Sequence, residues 1–243
     1  MDFEEGNSGN LPLTSLTPLT AAAHELKTPL VLLRQLSLQF GETDDPRARA
    51  ETARRMRLTS ERGLRLVDNL TKAARLDDAL FQLEPVQLGG VCREVLDEIS
   101  PLAQALNQEI SLKIARQLPP VVANRDLLRG LLVNLLDNSL QYNPPAKTVE
   151  ISARICRARA QISVRDHGAI LDLGEFRRLR ANLGNQNQPL SARPLSSGLG
   201  LFIAGQFARA MHGRLAVERH REGGLTFSAS LPISRQLSLF EGA

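Results

Sequence analysis

His24 opens the string His24-Glu25-Leu26-Lys27-Thr28-Pro29-Leu30. An imidazole is both nucleophile and proton carrier near neutral pH. Here a carboxylate follows it directly, a hydroxyl lies one turn on along the same helical face, and a proline then interrupts the helix. These are parts for charging a ring nitrogen, transferring a group to it and removing that group again. Asn134 and Asn138 form a second candidate, two carboxamides at i and i+4 on one helical face. A carboxamide oxygen is a hard ligand suited to Mg²⁺, which usually arrives with phosphates and keeps some waters. Asp166-His167-Gly168 ends a strand, where a carboxylate can accept from an exocyclic amine and a glycine lets a ring approach the backbone. Ser196-Ser197-Gly198-Leu199-Gly200-Leu201 opens a helix, whose free N–H groups favour phosphate. Each piece alone has a plainer reading: a spectator histidine, a pair of surface asparagines, a turn, a lone glycine pair. Their order and spacing carry the weight.

Two long helices must position the histidine. From about Thr14 to Phe40, Leu19, Leu26, Leu30, Leu33 and Phe40 recur near a heptad, with Ala22 and Ala23 filling the seam. Gly41-Glu42-Thr43-Asp44-Asp45-Pro46 stops that helix and starts another, which runs to about Leu76 with Met56, Gly63, Val67, Leu70 and Ala74 on one stripe. A hairpin with one apolar face cannot cover it alone, so a dimeric four-helix bundle is expected. After Asp77-Asp78 the pattern changes. A short strand over 81–88, a helix over 91–106, a strand over 110–114 and a helix over 125–142 are expected. Strands over 149–155 and 160–164 follow, then a mobile loop over 172–197. A helix over 200–211 and strands over 214–219 and 225–231, turned by Gly223-Gly224, complete the pattern. The fold class is therefore α+β, a helical hairpin followed by an α/β sandwich. The divisions are a lead (1–13), the hairpin (14–78), the sandwich (79–233) and a tail (234–243), where Leu237 and Phe240 could dock on a neighbour.

Composition agrees with a normal aliphatic core: 42% of the 243 residues are hydrophobic, 4% are aromatic and Trp is absent. A net charge of +4, spread through scattered arginines without aromatic interleaving, argues against a nucleic-acid partner. No apolar run is long enough to span a bilayer, so no membrane contact is expected of this chain. Cys92 and Cys156 lack metal-ligand spacing and are expected to be reduced core thiols.

Over about Leu13 to Ile233 the chain resembles the cytoplasmic core of a bacterial two-component sensor histidine kinase: a dimerisation and phospho-acceptor hairpin, then an ATP-binding domain of the GHKL superfamily. The phospho-acceptor string, asparagine box, Asp-x-Gly box and Gly-Leu-Gly-Leu box stand in the family's order. Pro85-Val86-x-Leu88 fits the entrance to the second domain, and Phe176 the aromatic box before the lid. The resemblance implies ATP and Mg²⁺ as cofactors. Asn134, Asn138, Tyr142, Asp166, Gly168, Gly198, Leu199 and Gly200 would bind nucleotide, with Asp166 on the adenine amino group and Asn138 as the Mg²⁺ ligand. His24 would attack the γ-phosphorus with Glu25 holding the other ring nitrogen's proton. Thr28 would orient water for dephosphorylating a response regulator. The implied partners are a second copy of the chain, a response-regulator receiver domain, and a separate or excised sensor module. The implied location is the cytoplasm, either free or as part of a larger inner-membrane sensor. Two positions depart from the family. Ile170 replaces the second glycine of Asp-x-Gly-x-Gly, and Gln141 replaces a basic residue that often faces the phosphates. Lys147 or an arginine of Arg177-Arg178-x-Arg180 is the expected replacement charge. These departures leave open a degenerate kinase, acting mainly as regulator phosphatase or as a dimeric nucleotide-binding scaffold.

Overall fold

The computed structural model describes residues 16–76, 81–184 and 198–234. The lead, the tail with Leu237 and Phe240, and the second half of the expected loop over 172–197 lie outside these residues, as does the side chain of His24. Helices α1 (Leu16–Glu42) and α2 (Pro46–Ala74) form the hairpin. Asp45 caps α2, its carboxylate accepting from the N–H groups of Arg47 at 3.1 Å and Ala48 at 3.2 Å, and Pro46 occupies the first turn.

Helix α1 runs through Pro29 without the expected interruption. A Cβ placed on Gly63 of α2 would lie 3.7 Å from the Pro29 ring, so the proline is seated on a neighbour with no side chain. The apolar stripes are only partly covered within the single chain. Leu36 is buried, whereas Leu30 is 63% exposed and Ala23 is exposed. On α2 the buried positions are Leu58 and Asn69, and Val67 is 45% exposed. Helix α2 serves two neighbours: Gly63 meets α1, while Leu66, Leu70 and Ala73 pack on the core of the following domain.

That domain contains β1 (Glu84–Val86), α3 (Leu88–Ala105), β2 (Glu109–Ile114), β3 (Val121–Ala123) and α4 (Arg125–Tyr142). There follow β4 (Thr148–Cys156), β5 (Arg159–Arg165), α5 (Leu173–Asn182), α6 (Leu199–Ala210), β6 (Arg214–Arg219) and β7 (Leu225–Pro232). The main sheet has the order β2-β4-β5-β7-β6, parallel only between β2 and β4. A separate ribbon pairs β1 with β3. Alternation fixes the faces: Val149, Ile151, Ile162 and Val164 are buried, while Ser152 and Ser163 between them are only half-buried. Helices α3, α4 and α6 cover the apolar face. Helix α4 is apolar on nearly every side, with Leu128, Leu131, Leu132, Leu135 and Leu136 all buried, as befits a helix packed between the sheet and its neighbours.

Two expectations need correction. Part of the expected loop is helical: α5 is capped by Asp172, whose carboxylate accepts from Gly174 N–H at 2.7 Å. Phe176 packs half-buried against the core. The polar composition of the stretch hid a short surface helix with a single buried residue, Leu179. Cys156 is exposed at the end of β4, where the strand runs past the helices, so it is no core thiol. Cys92 is buried, and burial pushes its thiol up to about 12. A thiol reagent at neutral pH is therefore expected to modify Cys156 alone in the native protein and both cysteines in denaturant. Prompt double labelling of folded protein would contradict the packing around α3.

Candidate nucleotide site

Asn134 and Asn138 lie on α4, where the hairpin faces the domain, and both are more than nine-tenths buried. The amide of Asn134 donates to the Gly130 carbonyl at 2.9 Å, which turns its oxygen toward Gly200. A Cβ on Gly200 would stand 3.6 Å from that oxygen. Asn138 makes no such back-bond, and its Nδ2 is buried with no hydrogen-bond partner among the described residues. A buried amide nitrogen left unpaired costs stability unless something binds there.

Asp166 is wholly buried at the end of β5, and its Oδ1 accepts from Gly168 N–H at 3.0 Å and Leu225 N–H at 3.2 Å. Gly168 presses on the chain after α4: a Cβ there would meet the Tyr142 carbonyl oxygen at 2.7 Å. The Gly223-Gly224 turn backs the same loop, with a virtual Gly224 Cβ 2.0 Å from the Asp166 carbonyl oxygen. Ile170, 62% exposed, lies beside Gly223, so the side chain replacing the family's glycine stands clear of the loop. Gly198 enters α6 with φ +80°, a conformation natural to glycine, and precedes buried Leu199 and half-buried Gly200.

Residues outside the sequence motifs complete the arrangement. Buried Asn143, just past α4, accepts from His167 N–H at 2.9 Å and donates to the Lys147 carbonyl at 2.8 Å. Buried Gln108 donates to the carbonyls of Leu140 at 3.0 Å and Asn143 at 2.8 Å. Together they tie the end of α4 to the Asp166 loop. Neither Asn143 nor Gln108 belongs to a motif that the sequence singles out.

A cavity of about 690 Å³ runs between hairpin and domain. Asn134, Asn138, Gly198 and Gly200 line one side, and Glu25 and Thr28, the neighbours of His24 on α1, line the other. Asp166, Gly168, Tyr142 and Leu199 are not on its walls; the first three stand behind the Asn138 end of α4. Among the described residues the cations at the cavity are Arg55, Arg62 and Arg65 of α2, not Lys147 or the arginines of α5. Arg62 donates to the Gln141 side-chain oxygen at 3.0 Å, and Arg65 lies 3.9 Å from Asp137. Burial pushes the Asp137 carboxyl above the ordinary carboxylate range, and Arg62 and Arg65 partly counter it. Sequence could not show this, because nothing in it states where α2 rests against α4.

Residues 123–235 match the family model of histidine kinase-, DNA gyrase B-, and HSP90-like ATPases, so the sandwich carries an ATP-binding domain of that class. Similarity extends through the hairpin. The chain is 28% identical to Sensor protein CutS of Streptomyces coelicolor, over 87% of this chain and 51% of that one. It is 31% identical to Sensor protein kinase PmrB of Pseudomonas aeruginosa, over 87% of this chain and 44% of that one. Among solved structures, the histidine kinase AdeS of Acinetobacter baumannii shares the fold at a TM-score of 0.59 and 17% identity, covering 87% of this chain and 98% of its own. The chain spans about half the length of the curated relatives it matches. The chain is thus similar to the cores of bacterial sensor histidine kinases, and its sandwich matches the ATPase family found in them. Among the described residues no helix is long and apolar enough to cross a membrane.

Proposed function

We propose that this chain is an ATP-dependent protein-histidine kinase that phosphorylates His24 and passes the phosphoryl group to an aspartate of a response-regulator receiver domain. One observation carries the reading: the neighbours of His24 and the glycine and asparagine boxes line a single cavity. In the proposed reaction a ring nitrogen of His24 attacks the γ-phosphorus of ATP. The bond to the bridging oxygen breaks and ADP leaves. Glu25 holds the proton on the other ring nitrogen, and Thr28, one turn on, orients water when the regulator is dephosphorylated. Asp166 accepts from the adenine amino group, and Gly168 and Tyr142, pressed together behind the cavity wall, hold its loop against the end of α4. Gly198, Leu199 and Gly200 turn backbone N–H groups toward the phosphates.

The donor set fits Mg²⁺ bound jointly with phosphates. The Asn138 carboxamide, whose oxygen is a hard donor, lines the cavity, and the described residues contain no cluster of acids, histidines or cysteines able to cage a metal alone. When bound, Mg²⁺ neutralises charge on the phosphate oxygens. We further propose that the hairpin, residues 14–78, pairs with that of a second copy on the cytoplasmic side of a larger sensor. Supporting this, Leu30, Val31, Leu38, Leu64 and Val67 are exposed apolar residues in the single chain.

The test is incubation with γ-labelled ATP and Mg²⁺. Wild type is expected to take up acid-labile, alkali-stable label, and His24→Gln none while still binding ATP. Undiminished label in His24→Gln would remove His24 as the acceptor.

A further inference from the structure

The cavity-facing side of α4 is short of positive charge. Asn134, Asn138 and Gln141 line the cavity from this helix, all three as neutral carboxamides, and the charged side chain that lines it among them, Asp137, is an acid. A phosphate chain seated there needs cations, because a polyanion moved out of water must be paired. The hairpin brings three. Arg65 lies beside the Asp137 carboxylate at 3.9 Å. Arg55 lies about two turns before Arg62 on α2. Arg62 is placed differently: its guanidinium reaches over α4 and gives a hydrogen bond of 3.0 Å to the neutral Gln141 amide, one turn past Asn138. That bond uses one of the five donors of a guanidinium. A planar fork of this kind suits phosphate oxygens, which it can grip through two parallel N–H groups.

We infer that Arg62 is a phosphate-binding residue supplied by the hairpin to the nucleotide cleft, standing in for the cation that Gln141 does not provide. The inference rests on the ATP-binding reading above. It makes nucleotide affinity depend on where the hairpin sits: ATP holds α2 and α4 together through Arg62, and a nucleoside without phosphates does not.

The test is titration of the full chain with ATP and with adenosine at fixed Mg²⁺, in wild type, Arg62→Ala, Gln141→Lys and the double variant. Arg62 is exposed on α2, so its truncation leaves the fold intact. Arg62→Ala is expected to weaken ATP about tenfold, the scale of one charge-assisted hydrogen bond, and to leave adenosine unchanged. Adding Gln141→Lys to Arg62→Ala should restore ATP affinity to within about twofold, since the charge returns from the other side of the cleft. Unchanged ATP affinity in Arg62→Ala overturns the inference. So does equal weakening of adenosine, which would make the arginine a docking residue only, and so does failure of the lysine to rescue. Wild type that binds neither ligand would bring down the ATP reading itself, a result distinct from wild type that binds ATP regardless of Arg62.

Discussion

Gly224→Ala is expected to lower the melting temperature by roughly 6–12 °C and to abolish measurable nucleotide binding. Gly224 has φ +80°, which costs alanine about 1–2 kcal/mol by itself. Its Cβ would also stand 2.0 Å from the Asp166 carbonyl oxygen, 2.8 Å from the carbonyl carbon and 2.9 Å from the His167 Cα. All three are backbone atoms, so no rotamer change relieves the clash and the turn must move away from the loop. Moving it breaks the bonds on which Asp166 hangs: its N–H to the Leu225 carbonyl at 2.9 Å, and the Leu225 N–H to its Oδ1 at 3.2 Å. Strain and lost bonds together come to about 3 kcal/mol, and each kcal/mol moves the midpoint of a chain this size by about 2–4 °C. Gly41→Ala is the control, having no atom within 4 Å of its virtual Cβ and no positive φ. Thermal melts and ATP titrations of both variants decide it; a Gly224→Ala protein that melts like wild type would mean the turn does not brace Asp166.

The second large effect has opposite signs in two measurements. Asn138→Leu keeps the side-chain shape while removing the amide nitrogen that is buried without a partner among the described residues. Replacing an unsatisfied buried polar group by an apolar one of similar shape is neutral or stabilising, by up to about 1–2 kcal/mol. The melting temperature without nucleotide should therefore hold or rise by a few degrees. Labelling of His24 by ATP and Mg²⁺ should meanwhile fall by about 100-fold or more, the usual cost of removing a group that stabilises transition-state charge. A residue that destabilises the resting protein yet is required for turnover is one kept for chemistry. A marked drop in melting temperature would show instead that Asn138 supports the fold, and normal labelling would show that it has no part in catalysis.

The elements most legible in the sequence were those whose pattern is local. Helix α4 was legible because leucines fill its interior; the structure adds its cap, Asn124, which accepts from the N–H groups of Asp126 and Leu127, both at 3.1 Å. The strands β4 and β5 were legible through their period-two alternation. The motifs for His24, the asparagines, Asp166 and the glycines could be found because each is a short contiguous string. What the sequence concealed is contact between strings. The bracing of Asp166 by Gly224 joins positions far apart in the chain, and Gly223-Gly224 by itself reads only as a strand turn. Gln108 and Asn143 look like ordinary polar residues until their four carbonyl and N–H partners are located. Arg62 and Arg65 fall among many exposed charges on α2, and only the packing of α2 against α4 singles them out. Helix α5 was missed because its polar, glycine- and arginine-containing sequence buries one residue and so shows no period.

The ribbon of β1 and β3 has a consequence for how the sandwich is attached. Glu84–Val86, near the chain's point of arrival from the hairpin, pairs with Val121–Ala123. Val121 also bridges Ile233, and the Ser234 N–H donates to the Pro120 carbonyl at 2.8 Å. The first and last described segments of the sandwich are thus stitched to the same short strand. Topologically the unit is nearly a closed ring with a single handle. Because the link from the hairpin enters at this ribbon, which is separate from the five-stranded sheet, the attachment leaves the hydrogen bonding of that sheet whole.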